Sequence, residues 1–254
     1  MEQAGASGVQ SLDRALRLME VMADAGGSLR LAEIEKATGL PLPTIHRLLR
    51  SLMHNGYARQ DASRRYTLGP RLIRLGEVAG RTLGSWATPH LAALVVEIGE
   101  TANMAVLEGD AVVYVAQVPS AHSMRMFTEV GRRVSAHCTG VGKALLSQLP
   151  DTEVRELLRR TGMPARTPRT LTDPAALLRE LEEIRVQGWA VDDAEQEVGV
   201  RCVAAPITGA PARAAVSVSG PSGRLTAGRV AEIAPVLQRA AARIAENLLG
   251  DQIH

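Results

Sequence analysis

A chain of 254 residues, 46% of them hydrophobic, can bury one large core or two smaller ones, and ordinary domain size favours two. A net charge of +2 excludes a polycation, two cysteines (Cys138 and Cys202) exclude a disulfide scaffold, and 2% aromatic residues exclude stacking platforms for single-stranded nucleic acid. With no signal-peptide pattern and no apolar run long enough to span a bilayer, the chain reads as cytoplasmic, with reduced thiols and no membrane partner.

Residues 1–9 are rich in Gly, Ala, Ser and Gln and read as a disordered tail. A helix follows, with Ser11 as its cap and Leu12, Ala15, Leu16, Met19 and Met22 as its buried stripe, ended by Gly26 and Gly27. A second helix occupies 31–38, and Gly39 turns the chain into LPLPTIHRLLRSLMHNG, residues 40–56. There Ile45, Leu48, Leu49 and Leu52 fall at i, i+3, i+4 and i+7, so one face goes inward. Pro43, Arg47, Arg50 and His54 lie opposite, flanked by Thr44, His46 and Ser51, and no acidic residue interrupts them. That stripe suits phosphates and guanine edges of double-stranded DNA. Two short helices on a tight glycine turn make a helix-turn-helix. The period then changes to two at 57–60 and 66–68, a hairpin wing whose Arg64 and Arg65 are placed to reach a minor groove or flanking phosphates. From 41 to 81 arginines far outnumber acids, whereas the remainder of the chain is net acidic, which points to a polyanion partner for this segment alone. The expected DNA-binding domain is 10–69.

Gly69 and Pro70 open a helix over 70–84 with a broad apolar face of Leu72, Ile73, Leu75, Val78 and Ala79. It reads as a linker that packs on a second copy of the chain or on its own carboxy-terminal domain. The remainder, 85–250, brackets strands with helices: a helix at 85–99, strands at 102–108, 111–117 and near 124–128, helices at 140–148, 151–160 and 174–187, strands at 189–193, 201–207 and 212–219, and a closing helix at 226–249. This is an α/β (α+β) chain with a mixed or antiparallel central sheet.

The segment from His137 to Lys143 has Gly-Lys before a helix but lacks the other glycine and the Ser or Thr of a phosphate loop. The main chain of Gly140 and Val141 at that glycine-rich helix start suits a small anion, although a plain tight turn would read the same. In AVSVS, Ser217 and Ser219 share one strand face with Ala215 and call for a polar partner if that face is inward. Cys202, with Ala204 on its own face, and Asp192 at a strand end complete a small cavity for a compact carboxylate. No nucleophile elbow, credible thiol dyad or metal-ligand spacing is present, so no catalytic residue, metal or cofactor is expected.

The segments VQSLDRALRLMEVM, LAEIEKATGLPLPTIHRLLRSLMHNGYARQ, YTLGPRLIRLG, HCTGVGKALL, GWAVDDAEQEVGVRCVAAPI and AAVSVSGPSGRLT resemble, in one order over nearly the whole length, the isocitrate-lyase-regulator (IclR) family of bacterial transcription factors. The resemblance implies a winged helix-turn-helix, a dimerising linker helix and a GAF-like effector domain that often drives tetramer formation, with palindromic operators and small organic acids as effectors. MRMFTEVGRRVSAHCTGVGKALL, AVDDAEQEVGVRC and VSVSGPSGRLT are most similar to the family's allantoin-pathway repressors, whose ligand is glyoxylate. Carried over, that resemblance places Gly140, Val141, Asp192, Cys202, Ser217 and Ser219 around the ligand. The expectation is a repressor of allantoin or purine catabolism, or of another organic-acid operon. Arg201 beside Cys202 departs from the pattern, and Met104, Met124 and Met126 could shape a roomier pocket for a ureide such as allantoate. Activation instead of repression stays open, whereas an enzyme tethered to DNA is argued against by the lack of a credible nucleophile, metal set or cofactor loop.

Overall fold

A computed structural model describes residues 9–126, 128–209 and 213–250, so the expected tail lies outside the described residues except for Val9. The chain forms two compact units, 1–79 and 80–254.

In the first unit, α1 (Gln10–Asp24), α2 (Leu31–Thr38) and α3 (Leu42–His54) pack with a three-stranded sheet of β1 (Ser28–Leu29), β2 (Ala58–Gln60) and β3 (Tyr66–Leu68), in the order β1-β3-β2. Its core is Leu18, Met22, Ile34, Ile45, Leu48, Leu49, Leu52, Ala58 and Tyr66. Full burial of each large apolar side chain is worth about 2 kcal/mol. The α3 face is the one its periodicity predicts. Gly56, at φ +75°, takes the left-handed conformation that ends α3 at a position where a Cβ would be strained.

Helix α1 departs from expectation in two ways. It starts one residue before Ser11, with extended Val9 as its cap and no side-chain cap hydrogen bond. Its buried pair is Leu18 and Met22, while Leu12 and Leu16 are 56% and 48% exposed. Both pairs have i, i+4 spacing, so α1 is apolar on two sides, and periodicity alone does not choose between them. Strand β1 is too short to show any alternation.

Helix α4 (Arg71–Leu83) carries the chain into the second unit, the division falling after Ala79. There α5 (Thr88–Ile98) precedes β4 (Thr101–Glu108), β5 (Ala111–Val118) and β6 (Arg133–Val134). Next come α6 (Gly140–Leu146), α7 (Asp151–Thr161) and α8 (Pro174–Gln187), then β7 (Ala190–Asp193), β8 (Val200–Ile207), β9 (Ala214–Pro221) and α9 (Ala227–Gly250). The six strands form one sheet in the order β6-β5-β4-β9-β8-β7, with every pairing antiparallel. The strand expected near 124–128 is absent among the described residues there, and Phe127 lies outside them. Met126 O accepts from the Thr101 side chain at 3.2 Å, and the sixth strand is β6.

Alternation along β9 decides what each face does. Val216 and Val218 join α5 and α9 in one apolar core, whereas Ala215 faces α6, α7 and α8 in another. Among the described residues, no helix is long and apolar enough to cross a membrane.

Candidate functional site

Two candidate surfaces, one in each unit, gather the residues singled out from sequence. On α3, Pro43, His46, Arg47, Arg50, Ser51 and His54 are exposed and Thr44 is half-buried. No acidic side chain interrupts them. Pro43 in the first helical turn removes an amide that has no intrahelical acceptor.

At the wing tip, Arg64 is exposed and held at φ +59°, a conformation that costs a non-glycine residue about 1 kcal/mol. Asp61 stabilises the turn. Its carboxylate accepts the Ser63 hydroxyl at 2.6 Å and the Arg65 amide at 2.9 Å, and these bonds, Ser63 first, hold it below the usual carboxylate range. Arg65 behaves differently from Arg64. Its guanidinium folds back to donate to Ser28 Oγ (3.0 Å) and Ser28 O (2.9 Å) and pairs with Glu33 at 3.4 Å. Glu33 also accepts the Arg30 amide at 2.6 Å, so Arg65 fastens the wing to the start of α2 instead of extending from it.

In the second unit the strand register builds the other candidate site. Asp192 stands opposite Cys202, Cys202 opposite Ser219, and Ser219 opposite Thr101. The next row is Ala190, Ala204, Ser217 and Asn103. Directly paired antiparallel residues point to one side, here toward α6. Gly140 starts α6 against Cys202: a Cβ there would lie 2.9 Å from Cys202 Sγ, so only glycine seats the helix this close. Thr139 caps the helix by accepting the Gly142 amide at 3.1 Å.

The Cys202 thiol is pushed up to about 11, by burial first and then by the charge of Asp192. The Ser219 hydroxyl and the Val141 amide act in the opposite direction, and the Ser217 hydroxyl lies near the sulfur without the geometry of a hydrogen bond to it. Asp192 Oδ1 accepts the amides of Glu195 (2.7 Å) and Gln196 (3.3 Å). Burial nevertheless raises its carboxyl to about 6, the Glu195 amide opposing and the Glu195 charge adding. Ser217 Oγ and Asn103 Nδ2 are fully buried and have no hydrogen-bond partner.

Several of these neighbours carry no local signal in the sequence. Asn103, whose Oδ1 accepts from Gln117 Nε2 at 2.9 Å, joins the site only through pairing with β9. Tyr114 is buried close enough to Cys202 and Asp192 that, after burial itself, their charges hold its phenol above the ordinary range. Lys143 is completely buried, its Nζ 2.5 Å from both Glu180 Oε1 and Glu195 Oε1. Burial works against its charge, but Glu195 and Glu180 more than offset that and keep it above the usual lysine value.

One expectation, a pocket widened by methionines, is corrected. Met104 lies in the core on the opposite face of the sheet and Met124 is 71% exposed, so neither borders this cluster, and half-buried Met126 sits near its edge, its carbonyl accepting from Thr101. Arg201 points away from Cys202, paired with Asp193 and donating to Leu225 O at 2.5 Å. His137 and Cys138 diverge, His137 Nε2 contacting Pro164 O at 3.2 Å and Cys138 Sγ donating to Gln196 Oε1 at 3.0 Å. Burial, then the Asp192 charge, pushes that thiol up to about 12, which suits neither a nucleophile nor a metal ligand. Beside Gln196, a cavity of about 310 Å³ has Asp110, Arg132, Arg133, His137 and Arg166 in its wall.

The IclR helix-turn-helix domain matches residues 11–62, and the bacterial transcriptional regulator IclR C-terminal domain matches 77–246. The chain belongs to the IclR family. The Transcriptional repressor IclR of Escherichia coli K12 is 38% identical over 93% of this chain and 89% of its own length. The HTH-type transcriptional regulator BhcR of Paracoccus denitrificans Pd 1222 is 37% identical over 92% of this chain and 85% of its own. The HTH-type transcriptional repressor AllR of E. coli K12 is 34% identical over 90% and 86%, so the expected likeness to allantoin-pathway repressors holds but the likeness to IclR itself is greater. Among solved structures, an IclR homolog complexed with 4-hydroxybenzoate from Microbacterium hydrocarbonoxydans superposes with a TM-score of 0.77 at 26% identity, over 94% of this chain and 99% of that one. As an IclR-family chain this protein is a transcriptional regulator and not an enzyme, with DNA bound through the helix-turn-helix domain and a small-molecule effector through the carboxy-terminal domain.

Proposed function

We propose that this regulator is a repressor of organic-acid catabolism, in the allantoin and purine (ureide, glyoxylate) branch, held on a palindromic operator as a dimer or tetramer and released by a compact carboxylate. Pro43, Thr44, His46, Arg47, Arg50, Ser51 and His54 face the groove, with Arg64 on the flanking backbone and Arg65 positioning the wing. Gly140, Val141, Asp192, Cys202, Ser217 and Ser219 hold the effector. The observation that carries the pocket is Ser217 Oγ: a fully buried hydroxyl without a partner costs about 1–3 kcal/mol, which a bound anion would recover. The close seating of Gly140 on Cys202 favours glyoxylate over the larger allantoate. The AllR likeness supports the same branch.

Operator affinity as a function of salt, on a palindrome selected from random duplexes, tests both surfaces. Arg47→Ala and Arg50→Ala should each weaken binding about tenfold and lower the salt slope by about one. The double variant Ser217→Ala, Ser219→Ala should bind DNA as the parent does yet ignore glyoxylate. Unchanged affinity in both arginine variants would sink the groove assignment, and a preserved glyoxylate response would sink the pocket. An effector that tightens operator binding would turn the reading from repression to activation.

A further inference from the structure

We infer that Asn103 is a further effector contact that sets which acids the site accepts, its Nδ2 donating to an effector oxygen other than those of the carboxylate held at Val141 and Ser219. The inference rests on the pocket reading above and deepens it. Asn103 is fully buried on β4, directly opposite Ser217 on β9, and its Nδ2 and Ser217 Oγ both lack a partner. Its Oδ1 is engaged by Gln117 Nε2 at 2.9 Å, which fixes the amide with its two N–H groups directed elsewhere. Among the side chains on this face, Ala105, Ala190, Ala204 and Ala215 carry no acceptor.

Two unpaired donors side by side on one buried face are what a packing role would avoid, because an apolar residue at 103 would fill the same space without the desolvation cost. An oxygen between Asn103 Nδ2 and Ser217 Oγ would receive a hydrogen bond from each. In a short acid, that oxygen is a 2-oxo or 2-hydroxyl group one carbon from the carboxylate. An unsubstituted acid of the same length would leave Nδ2 unpaired, and a missing partner for a buried donor is worth roughly 10- to 100-fold in affinity.

The test is calorimetric titration of the full chain with glyoxylate against acetate and with pyruvate against propionate. The parent, Asn103→Leu, Asn103→Asp and Ser219→Ala are compared, with operator affinity as the check on folding. The parent should prefer each oxo acid at least tenfold. Asn103→Leu should bind the members of each pair about equally, and Asn103→Asp, isosteric but unable to donate when ionised, should lose the preference and weaken every acid. Either variant keeping the parent's preference overturns the role of Asn103, leaving the amide to bind structural water. Ser219→Ala with undiminished glyoxylate affinity overturns the pocket reading itself, whatever position 103 does, and failure of all four acids to bind the parent overturns both.

Discussion

A carboxyl buried where a carboxylate is proposed to bind has to give up its charge, and burial pushes Asp192 in that direction. Its value of about 6, against an ordinary 3.8, comes from burial that two backbone amides only partly offset. Anion binding beside it would raise it further, so binding takes up a proton. Effector affinity should therefore fall as pH rises through 6, by up to about tenfold per pH unit, and Asn at 192 should flatten the profile in titrations from pH 5 to 8. The same shift acts on stability. A carboxyl whose folded value is raised adds no penalty below its unfolded value and a full one above its folded value, about 3 kcal/mol here. Asp192→Asn should thus be more stable than the parent at pH 8 and no different at pH 4 in denaturant melts. Ser217 and Ser219 stand out in the sequence because their strand alternates visibly, and Asp192 and Cys202 because they fall at strand ends. Asn103 does not, because the residue that gives it meaning lies far along the chain and is reached only through β4–β9 register.

Among the elements, α6 shows how little length a helix needs when a charge anchors it. Lys143 ties α6 to α8 through Glu180 and to the β7–β8 connection through Glu195, with the ammonium wholly out of water. Removing one partner of a buried ion pair strands the others, so Lys143→Met should cost about 3–5 kcal/mol in urea unfolding, and adding Glu195→Gln should return part of that loss. Helix α3 and the hairpin of β2 and β3 follow from hydrophobic period alone. Period fails at α1, where two apolar sides compete, and near Met126, where the backbone carbonyl is bonded by the Thr101 hydroxyl. The Gly142-Lys143 pair lies within α6, and no period in the sequence shows that its lysine points inward to Glu180 and Glu195.

For the whole molecule, the exposed apolar side chains call for an occupant. Val9 at the cap of α1, Leu12 and Leu16 on α1, and Ile73 and Leu75 at the start of α4, are each 47% to 67% exposed. A second copy of the chain would cover them and match a palindrome with two-fold symmetry. Leu16→Lys with Ile73→Lys should therefore shift sedimentation toward monomer and weaken operator binding, while leaving glyoxylate affinity in the second unit unaltered. Dimer-sized particles from this variant would remove these faces from the interface.

Strand β9 carries hydroxyls on one side and valines of the other core on the reverse. Inserting or deleting a single residue there would turn serines into the apolar core and valines toward α6 at once. On the proposed reading, a change of specificity would therefore come by point replacement at fixed strand length, and a slipped strand would silence the response to the effector.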